Sequence, residues 1–120
     1  MTFDLTGQRL SSVQADPSLD LTTDGGWSIT VENDYEFLAA DGVRLTTLGG
    51  EEEKIVAILH AAIGEPLTSF TYTEDGHLSF AVGAGEIRVA PMEKFESWNI
   101  VGPEKERVVA MGGGELAIWS

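Results

Sequence analysis

Two histidines, His60 and His77, and no cysteine leave little in this chain for nucleophilic or metal chemistry. A structural zinc site gathers four nitrogen or sulfur ligands at set spacings, and a thiolate nucleophile needs a thiol; the sequence offers neither. His60 lies beside the apolar stripe of a helical segment and His77 follows the turn Asp75-Gly76, so each reads as a solvated or packed imidazole. Asp16, Asp20 and Asp24 are spaced by four, with the strand-like Leu19-Asp20-Leu21 between them. A calcium loop instead places oxygen ligands on alternate residues and closes with a glutamate, so these are turn and surface acids. Gly83-x-Gly85 and Gly112-Gly113-Gly114 are each followed by strand pattern, not by the helix whose amino end binds phosphate. No Gly-x-Ser-x-Gly elbow occurs. The carboxylate pairs Asp34 with Glu36 and Glu104 with Glu106 alternate to one side, whereas a glycosidase pair must converge across a cleft. The residues therefore point to a non-enzymatic protein with no cofactor and no metal.

Charge is the unusual property. Twenty acidic residues against seven basic ones give a net charge of -13 in 120 residues. Nucleic-acid binding draws on a Lys/Arg stripe that displaces counterions, and no such stripe is present. An anionic membrane surface would repel this chain, and no apolar run approaches the roughly 20 residues needed to span a bilayer. The amino-terminal MTFDLTGQRL has an acid at Asp4 and no basic, apolar leader pattern, so a cytoplasmic protein is expected. The acidic excess either keeps a small protein soluble or supplies a field that draws in a cationic partner.

The elements that must position these side chains are mostly strands. Residues 51–63 (EEEKIVAILHAAI) form the one helical pattern: Ile55, Ile58, Leu59, Ala62 and Ile63 recur at three- and four-residue spacing, with Val56 widening the stripe. Glu51, Glu52 and Glu53 suit the positive end of the helix dipole, and Gly64 with Pro66 closes the segment. With no second helix, a sheet must cover that stripe. Before it, residues 8–14, 19–22, 27–31, 35–39 and 43–45 read as strands, separated by Ala15-Asp16-Pro17-Ser18, Asp24-Gly25-Gly26, Asn33-Asp34 and Asp41-Gly42. After it, residues 67–73, 77–82, 86–89, 95–100, 108–111 and 115–119 repeat the pattern.

Laid over one another, the two blocks match Leu10 with Leu67, Val13 with Phe70, Leu19 with Leu78, Leu21 with Phe80, Ile29 with Ile87 and Val31 with Val89, at offsets of 57 to 59 residues. The expected fold is α+β and mostly β in a single domain, 1–120. Two similar antiparallel meanders, pseudo-repeats at about 8–48 and 66–119, pack together around the central helix as an internal duplication. Trp27 and Trp119 sit in alternating strands and read as core. Trp98, within Phe95-Glu96-Ser97-Trp98-Asn99, is core or an aromatic at the rim of a pocket.

The pattern Phe95-Glu96-Ser97-Trp98-Asn99-Ile100-x-Gly102-Pro103, then Val108-Val109, then Gly113-Gly114-Glu115-Leu116-Ala117-Ile118-Trp119, together with the early Gly7-Gln8-Arg9-Leu10, resembles a family of small bacterial proteins. The family is mostly actinobacterial and is catalogued as a domain of unknown function. The resemblance spans nearly the whole chain and implies a fold more than an activity; it carries no catalytic residues.

The functional expectation is an acidic binding protein of the immunity type, which neutralises a basic toxin or nuclease by occluding it. The residues expected to meet that partner are Asp34, Tyr35, Glu36, Glu93, Glu96 and Trp98. The alternative is a small-ligand-binding or structural module with a pocket lined by Trp98, Tyr35 and Phe95. The protein itself is expected to be a monomer or a weak homodimer.

Overall fold

A computed structural model describes residues 4–15, 18–83 and 85–119. Phe3, Asp16, Pro17 and Ala84, which the sequence places at the start of the first block and in two turns, lie outside the described residues.

The chain forms β1 (Leu10–Gln14), β2 (Leu19–Thr23), β3 (Ser28–Val31), β4 (Glu36–Ala39), β5 (Arg44–Thr46), α1 (Glu52–Ala61), β6 (Leu67–Tyr72), β7 (Leu78–Val82), β8 (Gly85–Val89), β9 (Trp98–Val101), β10 (Arg107–Ala110) and β11 (Leu116–Trp119). This is a mostly β protein with two antiparallel sheets and one helix, the class expected from its alternation. The six-stranded sheet runs β1-β2-β3-β9-β10-β11 and the five-stranded sheet runs β5-β4-β8-β7-β6.

The boundary between the sheets is not the boundary between the halves of the chain. β1 to β3 pair onward with β9 and β10 from the second half, and β6 to β8 pair onward with β4 and β5 from the first. The two junctions match in register: Ile29 faces Ile100 and Val31 faces Trp98 at one, while Ile87 faces Phe37 and Arg88 faces Glu36 at the other. Each first strand carries a bulge at the same place, between Leu10 and Ser12 and between Leu67 and Ser69. A bulge adds one residue and shifts the alternation by one. Leu10 and Val13, and Leu67 and Phe70, therefore face the core at a spacing of three instead of two. The sheets touch where these strands begin. Gly7 N donates to Leu67 O and Gly64 N to Leu10 O, both at 2.8 Å, and Leu67 N and Leu10 N donate back to Gln8 O and Glu65 O. Residues 57 apart thus exchange the same bonds across a local two-fold, and strands of each half complete the sheet of the other.

Helix α1 buries Ile55 and Leu59 completely, with Ala62 beside them, against β1 and β5. Ile63 does not belong to that stripe. The helix ends at Ala61 and Gly64 follows with φ +96°, so Ile63 leaves the helical phase and is 42% exposed. Two other expectations are corrected by burial. The strand expected at 95–100 begins only at Trp98, leaving Phe95 in the preceding connection and exposed. Trp119, read as core, is 52% exposed because it stands opposite Arg107 on the outward face of its sheet, while Leu116 and Ile118 take the core-facing side. Trp27 is half-buried against the core.

Candidate functional site

Strands β5, β4 and β8 lie side by side, so residues remote in sequence share one outward face. Alternation sends Phe37, Leu45 and Ile87 inward and Glu36, Arg44, Thr46 and Arg88 outward. Glu36 stands opposite Thr46 on one side and Arg88 on the other. Arg44 Nε donates to Glu36 Oε2 at 2.7 Å and its Nη2 closes on the same oxygen, while Arg88 pairs with Glu86. Above these residues a groove of about 430 Å3 is lined by Asp34, Tyr35, Glu36, Arg44, Thr46, Leu48, His77, Arg88 and Ala90. That volume is in the range of small-ligand sites.

The walls are fixed by local bonds. Tyr35 is buried and its hydroxyl donates to Glu52 Oε2 at 3.3 Å; burial first, then the Glu52 charge, hold the phenol protonated well above the ordinary tyrosine range. Thr47 Oγ1 donates to Asp34 Oδ1 at 2.9 Å and also lies 3.1 Å from the Tyr35 amide, which donates to it. At the far wall, Thr73 Oγ1 and His77 Nδ1 both bond Asp75 Oδ1, and these contacts, Thr73 first, keep the Asp75 carboxyl below the usual carboxylate range. That group is a hydrogen-bonded hairpin turn carrying an exposed imidazole. Among the described residues no three His, Asp or Glu side chains converge where they could hold a metal ion.

Behind the groove, the connection from β3 to β4 crosses the connection from β8 to β9. Glu32 N donates to Ser97 O at 2.9 Å and Asn33 Nδ2 donates to Glu96 O at 2.6 Å. Asn99 Nδ2 adds a bond to Glu32 Oε2 at 3.2 Å. The crossing brings the acids of two segments about 60 residues apart into one neighbourhood.

Of the six residues expected to contact a partner, Asp34, Tyr35 and Glu36 line the groove, and Glu93 and Glu96 are exposed on the crossing connection. Glu36 is partly neutralised by Arg44. Trp98 is a correction: it is 0% exposed, its indole N–H donates to Gly76 O at 2.8 Å, and it packs 6.0 Å from the Tyr72 ring. Its polar sequence neighbours Ser97 and Asn99 lie on either side of an inward-pointing strand position, so polarity nearby did not mean exposure. Tyr35 borders the groove, but Trp98 and Phe95, the other two residues expected to share a pocket with it, do not line that groove. Sequence reasoning missed Arg44, Arg88, His77 and Leu48 as groove residues. Alternation marked Arg44 and Arg88 as outward-facing, but only the sheet order β5-β4-β8 makes them neighbours.

Among the described residues no helix is long and apolar enough to cross a membrane. No curated protein and no solved structure matches the chain. The sequence profile of a family of unknown function, DUF6188, matches residues 1–120, and the chain belongs to that family.

Proposed function

We propose that this is a non-enzymatic binding protein of the immunity type, acting in the cytoplasm, that docks a cationic protein and neutralises it by occlusion. The observation that carries the reading is the crossing of the two connections. It sets Glu32 and Asp34 beside Glu96, whose connection also carries the exposed Glu93, Lys94 and Phe95, next to a groove lined by Asp34 and the exposed Leu48. Docking surfaces of this kind pair an apolar anchor with a charged surround. The surround steers encounter and the anchor supplies contact area. A net charge of -13 adds a long-range field that a basic toxin or nuclease would meet before contact.

The test uses the full chain as bait for basic proteins of its host. The captured partner's association rate is then measured against ionic strength, and its activity against added protein. A stoichiometric loss of the partner's activity, with an association rate that falls steeply with salt, supports the reading. The triple variant Asp34→Asn/Glu93→Gln/Glu96→Gln should slow association at low salt and leave folding intact. A partner whose association ignores salt, or which binds the triple variant as well as the parent chain, refutes it.

A second reading is favoured by the groove itself. Arg44 and Arg88, each paired with a neighbouring glutamate, and the His77 imidazole bring hydrogen-bonding groups onto one small concave surface of an acidic protein, beside the carboxylate of Asp34. That mixture suits a small ligand bearing both charges, and a ligand-dependent rise in melting temperature would show it.

A further inference from the structure

Sheet edges invite other strands, and three of the four edges here are obstructed. The first residue of β1 and of β6 each bonds through both backbone groups to the segment that precedes the other strand, and each strand carries a bulge. On β5, the outward backbone groups of Thr46 are taken by Glu51, whose amide donates to Thr46 O and whose Oε1 accepts from Thr46 N, both at 3.1 Å. β11 has no such cover among the described residues. Its sequence Leu116-Ala117-Ile118-Trp119 is also free of charge in a chain with 27 charged residues.

The hydrogen-bond phase of β11 is set by Met111 N donating to Glu115 O at 2.8 Å. From there the alternation turns Ala117 and Trp119 toward their partners Val109 and Arg107, and leaves the N–H and C=O of Leu116 and Ile118 pointing off the open side. Ile118 projects from the core-facing side of the sheet, yet it is 46% exposed. On the opposite side Arg107 lies over the Trp119 ring at 5.6 Å and has no ion-pair partner among the described residues.

We propose that β11 is a self-association surface whose occupant is a second copy of this chain, added antiparallel about a two-fold axis at Ala117. In that register Leu116 bonds through both backbone groups to Ile118 of the second copy, and the reverse. The same pairing places the Leu116 side chain over the exposed face of the opposite Ile118. It sets Glu115 of the second copy beside Trp119, next to Arg107, so each seam carries two symmetric Arg107–Trp119–Glu115 rows. That charge match is what selects a second copy over an unrelated strand. The residues nearest the axis are small or apolar, and the first charges outward from it are of opposite sign. Repulsion between acids of the two copies that lie farther apart than a Debye length, roughly 8 Å at physiological salt, is screened.

Sedimentation velocity on the full chain across a concentration series, at physiological salt, reads the outcome. A monomer–dimer equilibrium is expected. Ile118→Pro should abolish the dimer while circular dichroism and the melting curve remain those of a folded chain, because the lost N–H faces the open side and not β10. Arg107→Glu and Glu115→Arg should each raise the dissociation constant by about tenfold, through like charges on either side of Trp119 at two symmetric places. The double variant Arg107→Glu/Glu115→Arg should recover the parent value. A chain that stays monomeric throughout, a dimer that survives Ile118→Pro, or a double variant that associates no better than the single ones would each overturn the proposal. The first outcome would leave the edge to a strand from another protein.

Discussion

Replacing Trp98 tests the assignment of that residue to the core and not to a binding surface. The side chain is fully buried on β9 between Val31 of β3 and Ala110 of β10, against Tyr72, and it bonds Gly76 O at 2.8 Å. In Trp98→Phe the Gly76 carbonyl loses its partner inside the protein, at a cost of about 1–3 kcal/mol. The smaller ring leaves a void that costs on the order of 1 kcal/mol more. The sum, about 2–4 kcal/mol, is a large share of the roughly 5–15 kcal/mol that holds a domain of this size together. At about 4 °C per kcal/mol it lowers the melting temperature by about 8–16 °C. Trp98→Ala costs about 3–5 kcal/mol from the cavity alone and leaves a chain near the limit of folding. The assay is urea unfolding followed by far-UV circular dichroism, with Trp119→Phe as the exposed control, in dilute protein. The control should move by about 0.5 kcal/mol or less. If Trp98→Phe moves no more than the control, the buried indole and its bond to Gly76 are wrong.

Gly76 and Gly114 hold the hairpin β6-β7 against the turn before β11. Gly76 has φ +92° and a Cβ there would stand 2.7 Å from the Gly114 backbone, so Gly76→Ala should destabilise by about 2 kcal/mol or more, read as a lower urea midpoint with unchanged slope. Ser97 is 0% exposed and its hydroxyl has no hydrogen-bond partner among the described residues. Ser97→Ala should therefore be neutral or stabilising by about 1 kcal/mol, and a clear loss in melting temperature would reveal a partner for that hydroxyl. Tyr35 sets an alkaline limit. Its folded pKa is raised, so the unfolded chain releases the phenolic proton first, near the ordinary value of about 10. Stability contributed by the neutral phenol is full below that pH and falls as the pH rises beyond it. Unfolding followed from pH 8 to 11 should show this decline, and Tyr35→Phe should flatten it. An unchanged slope in the variant would move the cause to another group.

The membership of nearly every strand was legible because alternation is a local signal: a residue's side depends only on its neighbours in the chain. The helix was legible for the same reason, through Ile55 and Leu59 at a spacing of four. Its end was placed two residues late, since Ile63 continues the apolar pattern after the hydrogen bonds of α1 have stopped. The spacing of 57 to 59 residues between blocks was visible too, and even the bulges were implicit in it, since Leu10 pairs off with Leu67 and Val13 with Phe70 at the same offset.

Strand partnership was not legible. Val31 can face any strand with a complementary inward pattern, and only packing of the whole chain selects Trp98 over Tyr35, its counterpart in the other half. The candidate site inherits that dependence: Asp34 and Glu36 were picked out as acids, but Arg44 and Arg88 join them only once β4 lies between β5 and β8. Which face each tryptophan takes was equally hidden: Trp98 and Trp119 both occupy strand positions, but pairing sets Trp98 with the buried Val31 and Ala110 and Trp119 with the exposed Arg107. Side-chain alternation and charge are written residue by residue. The order of strands, and with it the groove and the open edge of β11, is decided by burial summed over the entire molecule.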